Sequence, residues 1–309
     1  MAGRRWLMDR LAEVGLAVRM DGVGNVFGRW EAGEGPAVLA GSHLDTVPEG
    51  GPLDGTLGVC AALEAVRAMK EAGIRPARPV EVVCTADEEG RFGGMLGSQA
   101  ICGEVGADFI AAAADETGRP LSEALAEAGL DASGPLARDM GSVAAFLELH
   151  VEQGPVDETR LTVGKVALSP NFSHSVAGEA AFSVVGRDAD DGVLTSLRAA
   201  TRAALERAAE AHGLDLAVRE ASFLPPTPLD GALVGELHAL ARSCGLSTRL
   251  MTSGAGHDAQ TFARHCPAGL LFVPSVGGVS HAPHEWTAWP DALKGATLLA
   301  RAVARLATR

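Results

Sequence analysis

The chain has 309 residues, 47% of them hydrophobic, which is enough for one large domain or two smaller ones with a sizeable core. Its formal net charge of −13 argues against a nucleic-acid partner, because phosphate binding needs a basic face. No apolar run reaches the length of a membrane span, and the charged N-terminus lacks the apolar stretch of a signal peptide. The five scattered cysteines form no CxxC pair, so we expect reduced thiols in a cytoplasmic protein.

The first half of the chain alternates between strand and helix patterns. Hydrophobic periodicity predicts, in chain order, a helix over 4–14, two short strands within 18–30, a strand over 37–40, a helix over 57–72, a strand over 80–85, a helix over 121–128 and a strand over 144–150. This alternation is typical of an α/β domain.

The pattern changes near residue 162. Two strands over 161–168 and 179–185, a long helix over 193–211 and a third short strand over 214–218 predict a small α+β insert. Helices over 233–244 and 291–307, with a strand over 269–274, then resume the first pattern. We therefore expect a discontinuous main domain, residues 1–160 and 229–309, interrupted by an insert at 161–228.

The loop GSHLDTVPEGGPLDG, residues 41–55, follows an apolar strand and carries His43, Asp45 and Asp54. Imidazole and carboxylate groups held close together by glycines are common ligands of zinc and related divalent cations. For an isolated HxD the better interpretation would be a polar loop with an incidental histidine. Candidate ligands elsewhere in the chain favour a metal site instead.

Candidate ligands follow three further strand-like runs. The segment DEEG contains Glu88 and Glu89, His150 ends the run AAFLELH, and His281 lies in GGVSHAP after GLLFVP. In open α/β sheets, ligands bind beyond the carboxyl ends of the strands. Four coincidences of this kind predict a metal site at that edge of the sheet.

Five side chains can supply the ligands of two metals: His43, Asp54, Glu89, His150 and His281. If Asp54 bridges, each metal receives three protein groups and keeps open positions for water and substrate. Glu88 is the candidate general base, although an isolated acidic pair is more often a solvated turn. The carboxylate of Asp45 could hold the His43 imidazole in one tautomer, or Asp45 could merely form the turn.

Three more residues are candidate substrate contacts. Arg187 ends the second strand of the insert and could clamp a carboxylate, or it could pair with a nearby aspartate at the surface. His257, in GAGHDA, lies at a predicted helix start that could hold an anion, or it could merely cap the helix. The amide of Gln153 can hydrogen-bond an amide or ureido group.

These segments together resemble the hydantoinase/carbamoylase family of dinuclear-metal amidohydrolases. The matching motifs are GSHLDTVPEGGPLDGTLGV, TADEEGRFGGMLGS, LELHVEQGP, SGAGHDA and FVPSVGGVSHAPHEW. The resemblance implies a zinc-exopeptidase-like α/β catalytic domain, with a mixed sheet flanked by helices, interrupted by a small α+β lid domain through which family members dimerise. It implies His43, Asp54 (bridging), Glu89, His150 and His281 as ligands of two divalent metals, zinc or alternatively manganese, nickel or cobalt. It also implies Glu88 as base and Gln153, Arg187 and His257 as contacts of a small substrate with a carboxylate.

The chain departs from the family pattern in the insert. Gly154-Pro155 runs almost directly to Thr162, so the first strand and helix of the lid, with a histidine that stabilises an oxyanion, are absent. His174 stands where the family has a substrate-binding Asn. The expected reaction is hydrolysis of an N-carbamoyl-L-amino acid to ammonia, carbon dioxide and the amino acid. The alternatives are an allantoate or ureide amidohydrolase and a catalytically impaired metal-binding homologue; a dipeptidase or aminoacylase fits His150 less well.

Overall fold

The computed structural model of the protein describes residues 1–154 and 158–309, so Pro155 of the LELHVEQGP motif lies outside the described residues. The helices are α1 (Ala2–Glu13), α2 (Thr56–Glu71), α3 (Leu96–Cys102), α4 (Ala107–Ala112), α5 (Leu121–Glu127), α6 (Asp191–His212), α7 (Gly231–Ser243), α8 (Asp258–Phe262) and α9 (Trp289–Ala307). The strands are β1 (Ala17–Met20), β2 (Val26–Trp30), β3 (Ala37–His43), β4 (Val80–Thr85), β5 (Val143–Val151), β6 (Arg160–Ser169), β7 (Glu179–Arg187) and β8 (Ala268–Val273). None of the helices in the described part of the chain is long and apolar enough to cross a membrane.

The chain divides into two compact units. The first comprises Met1–Gln153, Thr227–Leu250 and Ala255–Arg309, and the second comprises the described residues of Gly154–Pro226 together with Met251–Gly254. The return of residues 251–254 to the second unit is a feature that hydrophobic periodicity did not predict.

The first unit is built on a six-stranded mixed sheet of order β1-β2-β4-β3-β5-β8. The strands β4, β3, β5 and β8 run parallel, whereas β1 and β2 are joined antiparallel at one edge. Because the four parallel strands point the same way, their carboxyl ends lie along one edge of the sheet. The predicted mixed sheet flanked by helices is thereby confirmed.

Both faces of this sheet are covered. Alternate residues of the central strands, such as Val38 and Leu147, pack with the helices α1, α2 and α9. The intervening residues, such as Leu39 and Phe146, pack with α3 and α8, where the rings of Phe146 and Phe262 stack at 4.0 Å between centroids. Strands buried on both faces explain why they read as continuous apolar runs rather than as alternating ones.

The second unit contains a two-stranded antiparallel sheet, β6 and β7, and the long helix α6. Asp190 caps α6, since its carboxylate accepts the N–H of Val193, and Gly213 ends the helix in the left-handed conformation. The third strand predicted over 214–218 is wrong: these residues follow the helix without forming a strand. Their apolar alternation is real, but a strand also needs a neighbouring strand for its backbone hydrogen bonds.

Candidate dinuclear metal centre

The parallel strands deliver the candidate ligands to one edge of the sheet. His43 is the last residue of β3, and His150 is the penultimate residue of β5. Glu88 and Glu89 follow β4 after a turn at Asp87, whose φ of 54° is left-handed. His281 follows β8, and Asp54 precedes α2. Residues far apart in sequence therefore converge because they follow neighbouring parallel strands.

The first cluster consists of His43, Asp54 and His150, all buried. The two Nε2 atoms of the histidines lie 3.3 Å apart, and Nε2 of His150 lies 3.2 Å from Oδ1 of Asp54. Ligand atoms around one tetrahedral zinc ion are about 3.4 Å apart, given bonds of about 2.0–2.1 Å. The spacing of these three groups therefore fits a shared divalent cation.

The tautomers of both histidines suit metal binding. Nδ1 of His43 lies 2.8 Å from the carbonyl oxygen of Asp45, and Nδ1 of His150 lies 2.8 Å from the carbonyl oxygen of Val151. Because a carbonyl only accepts hydrogen bonds, each Nδ1 must carry a proton. When the imidazoles are neutral, Nε2 is then the unprotonated nitrogen that can bind a metal, and in both rings it faces the cluster.

The second cluster consists of Asp54, Glu89 and His281. Nε2 of His281 lies 3.8 Å from Oε1 of Glu89 and 4.0 Å from Oδ2 of Asp54. These two oxygens are buried and have no hydrogen-bond donor among the described residues. Asp54 thus offers one oxygen to each cluster, which is the arrangement of a carboxylate that bridges two metals.

Gly55 makes room for this arrangement. Its φ is 63°, in the left-handed region that side chains other than glycine rarely adopt, and a Cβ there would lie 2.4 Å from the His43 ring. Its N–H points to Nε2 of His150 at 3.2 Å. A larger residue at this position would displace the imidazole that Asp54 must face.

Burial and charge set the protonation of the cluster without metal. Burial opposes ionisation of Asp54, but its contacts with His150 and Glu89 outweigh burial and lower its pKa. Burial and the Asp54 carboxylate raise the pKa of Glu89 to about 9. Burial, assisted by the charge of His150, lowers the pKa of His43, so this imidazole stays neutral. Metal binding must therefore displace protons from part of the cluster.

Glu88 lies beside the first cluster, and it forms a third group of possible ligands with His43 and Glu89. The side chain is almost fully buried, and Oε2 is 3.7 Å from Nε2 of His43. Burial raises its pKa well above the ordinary value, and the carboxylates of Asp258 and Glu89 raise it further. A carboxyl group with a raised pKa can take up a proton and later return it.

Asp45 orients His43 by a different group from the one expected. The backbone carbonyl, not the carboxylate, receives the Nδ1 proton of His43. The carboxylate instead accepts the N–H of Glu89 at 3.1 Å and so ties the loop after β3 to the loop after β4. The HxD spacing brings Asp45 to the right place, but which of its oxygens faces the ring depends on the turn.

Sequence analysis missed a buried polar layer behind the histidines. The carboxylate of Glu148 accepts the hydroxyl of Ser42 at 2.7 Å and the N–H of Ala259 at 2.9 Å. The carboxylate of Asp258 accepts the hydroxyl of Thr85. A glutamate inside the apolar run FLELHV, two residues before His150 and thus on the same face of the strand, was the available signal.

Two predicted substrate contacts lie in the first unit beside the clusters. The amide nitrogen of Gln153 donates to Oδ1 of Asp54 at 3.2 Å. The buried ring of His257 lies 4.6 Å from that of His150, between centroids, and 5.3 Å from that of Phe272. Burial and the two neighbouring cluster histidines lower the pKa of His257 well below its ordinary value, so the ring is neutral.

The other two, Arg187 and His174, belong to the second unit. Arg187 donates to the carbonyl of Gly254 at 2.8 Å, within the same unit. The aspartates near it have other partners: Asp188 accepts from Thr159, and Asp190 caps α6. His174 packs edge-on against Phe172 at the surface.

The buried Asp258 predicts a pH dependence of stability. Burial and the charge of Glu148 raise its pKa to about 8, whereas an unfolded aspartate ionises near 3.8. Between these values unfolding releases a proton, so the free energy of unfolding should fall as pH rises, by at most about 1.4 kcal/mol per pH unit for one group. We expect Asp258→Asn to flatten this fall in urea unfolding of the metal-free protein between pH 4 and pH 8.

The control is Asp9→Asn, which removes an exposed carboxylate on α1. It should reproduce the pH profile of the unmodified chain. Identical slopes in Asp258→Asn and the unmodified chain would show that the Asp258 carboxyl is not held neutral in the folded protein.

Comparison with known proteins identifies the family to which the chain belongs. Residues 39–305 match the peptidase family M20/M25/M40, and the chain belongs to this family. It is 31% identical to an N-carbamoyl-L-amino-acid amidohydrolase of Paenarthrobacter aurescens, over 99% of this chain and 90% of the relative. It is 32% identical to the allantoate amidohydrolase of Escherichia coli (strain K12), over 96% of this chain and 88% of the relative.

Solved structures agree with these relatives. A hydantoinase/carbamoylase family amidase from Burkholderia vietnamiensis superposes with a TM-score of 0.93, at 30% identity, over 100% of this chain and 90% of that one. The resemblance drawn from the motifs is therefore confirmed. The relatives named here are amidohydrolases, which also confirms the expected class of enzyme.

The chain is shorter than these relatives inside the aligned region. The alignment with the Paenarthrobacter aurescens enzyme runs over 373 positions, whereas the whole chain has 309 residues. More than 60 positions of the alignment therefore have no counterpart in this chain.

Proposed function

We propose that the chain is a dinuclear-metal amidohydrolase that cleaves the terminal ureido C–N bond of an N-carbamoyl-L-amino acid. One observation carries the proposal: Asp54 divides its two oxygens between a buried cluster and a cluster that His281 opens to the surface, and the carboxyl of Glu88 lies next to the first of them. The residues that would hold the metals are His43, Asp54 and His150 on one side and Asp54, Glu89 and His281 on the other. Zinc suits this set of nitrogen and oxygen ligands, with manganese, nickel or cobalt as alternatives.

Two bound cations would polarise the ureido carbonyl and lower the pKa of a bound water molecule. Glu88 would take the proton from that water as its oxygen bonds to the ureido carbon, and would give the proton to the terminal nitrogen. The C–N bond then breaks to release ammonia and a carbamate of the amino acid. The carbamate loses carbon dioxide and leaves the free amino acid, so one water is consumed for each ammonia formed.

The second unit would act as the lid. Arg187 is its candidate clamp for the substrate carboxylate, since its guanidinium can form two parallel hydrogen bonds. His174 is a candidate contact for the ureido group, and Gln153 and His257 are candidate contacts from the first unit. In its described residues, the second unit contains only a two-stranded sheet and one helix. We propose that the relative's positions without a counterpart in this chain belong to this unit.

The same unit would carry the dimer contact. Apolar side chains of β6 and β7 are exposed, among them Val163, Val166 and Phe182. An exposed apolar patch of this kind is typical of an interaction surface. We propose a homodimer and a cytoplasmic location, the latter supported by five cysteines that form no disulfide.

A panel of substrates tests the function. We expect ammonia release from N-carbamoyl-L-amino acids, with the zinc-loaded chain, at rates well above those of the chelator-treated chain. Allantoate is the second candidate, favoured by the 32% identity to the Escherichia coli enzyme. N-acetyl amino acids and dipeptides, scored by amino-acid release, complete the panel. Two bound metals with no turnover of any ureide would instead favour an impaired homologue, for which the shortened alignment argues.

A further inference from the structure

His281 has an uncommon backbone conformation. Its φ is 53°, in the left-handed region that few residues other than glycine adopt, although asparagine, aspartate and histidine do so more often than the rest. Such a conformation persists only when its surroundings enforce it, and it is found where function requires a particular geometry. Something near His281 must therefore fix the turn that aims its imidazole at Asp54 and Glu89.

The fully buried carboxylate of Glu285 supplies that restraint. Oε2 of Glu285 accepts the backbone N–H of His281 at 2.8 Å. The N–H of Glu285 in turn donates to the carbonyl of Ala282 at 2.9 Å, which closes the turn between the two residues. Burying a carboxylate is costly unless it is hydrogen-bonded, so this contact is unlike that of a solvated surface acid.

The other oxygen of Glu285 faces the bridging aspartate through an amide. Oε1 lies 3.5 Å from the side-chain nitrogen of Gln153, and the same nitrogen donates to Oδ1 of Asp54 at 3.2 Å. Gln153 therefore links the two carboxylates, neither of which can donate to the other when ionised.

The loop that carries Asp54 also presses directly on Glu285. A Cβ on Gly51 would lie 2.6 Å from Cβ of Glu285 and 2.7 Å from its carbonyl oxygen. Only glycine allows the loop to approach this closely. Glu285 thus contacts the three segments that carry His281, Gln153 and Asp54, although it belongs to none of the groups of possible metal ligands among the described residues.

We propose that Glu285 is a positioning residue for the second cluster, which it sets by fixing the backbone of His281; its link through Gln153 ends on Oδ1 of Asp54, the oxygen nearer His150. The inference rests on the proposed two-metal site and says which of the two metals depends on Glu285. Groups that orient metal ligands typically change metal affinity by about 10–100-fold when they are removed. The metal held by Asp54, Glu89 and His281 should therefore be weakened, while the metal at His43 and His150 is largely retained.

The test is zinc titration in competition with a chelator, on the full chain and on Glu285→Gln and Glu285→Ala. The isosteric Glu285→Gln keeps an acceptor for His281 but turns donors toward Gln153, so it should lose less affinity than Glu285→Ala. We expect one of two zinc ions to bind about 10–100-fold more weakly in Glu285→Ala. The absorption spectrum of the cobalt-substituted chain should change for one ion only.

Glu81→Gln is the matched control, because Glu81 is equally buried but binds Arg29 at 3.2 Å and Arg138 at 2.7 Å. It should lower stability and leave both zinc affinities unchanged. Unmodified affinity for both ions in Glu285→Ala, or an equal loss in Glu81→Gln, would overturn the assignment. Failure of the unmodified chain to bind two zinc ions would instead overturn the proposed function.

Discussion

Replacing Glu88 by glutamine is expected to leave both metals bound and to lower kcat for ureide hydrolysis by about 10²–10⁴-fold, the usual contribution of a general acid or base. Glutamine has nearly the same shape but cannot take a proton from water. Because burial and two neighbouring carboxylates raise the pKa of Glu88, the folded chain already resists its ionised form. The variant should therefore be at least as stable as the unmodified chain.

Loss of hydrolysis with retained metal and retained stability would show that Glu88 has a chemical role and not only a structural one. Metal content by mass spectrometry, the unfolding midpoint and ammonia release are measured on the same preparation. Glu81→Gln serves again as the control, since it removes a buried carboxylate on β4 away from the ligand clusters. Normal turnover by Glu88→Gln would show that another group moves the proton.

Replacing Asp54 by alanine is expected to have the largest effect on metal binding, because both clusters contain this residue. The variant should lose tight binding of both metals and all measurable hydrolysis. His281→Ala should lose one metal only, since His281 belongs to a single cluster. Zinc stoichiometry after dialysis against a weak chelator distinguishes the two variants.

The contrast between these two variants tests the bridging role itself. If Asp54→Ala retains one metal with unmodified affinity, the aspartate is a terminal ligand and not a bridge. If His281→Ala loses both metals, the two sites are not separable, and the assignment of His281 to one of them is wrong.

The convergence of the candidate ligands could be predicted because it depends on topology. Ligands such as His43 and His150 follow apolar runs, and parallel strands carry their ends to one edge whatever their separation in sequence. The five candidate ligands thus converge, as the motifs and strand ends predicted. The fold class followed from the same alternation of strands and helices.

What could not be predicted depends on contacts between segments that are distant in sequence. The pairing of Glu148 with Ser42 and Ala259 needs three segments to meet, and no local pattern encodes such a meeting. Glu285 lies in a loop, and no local sequence pattern indicates its burial or its contact with His281. The strand expected over 214–218 failed for the related reason that apolar alternation does not supply a partner strand.

The central claim is that two metals, joined by Asp54, perform ureide hydrolysis with Glu88. The most direct test titrates the chelator-treated chain with zinc and follows bound metal and ammonia release from an N-carbamoyl-L-amino acid in the same samples. We expect ammonia release to appear as the second zinc ion binds and to level off at two ions per chain. A chain that binds no metal tightly at neutral pH, or that reaches full activity without metal, would contradict the account.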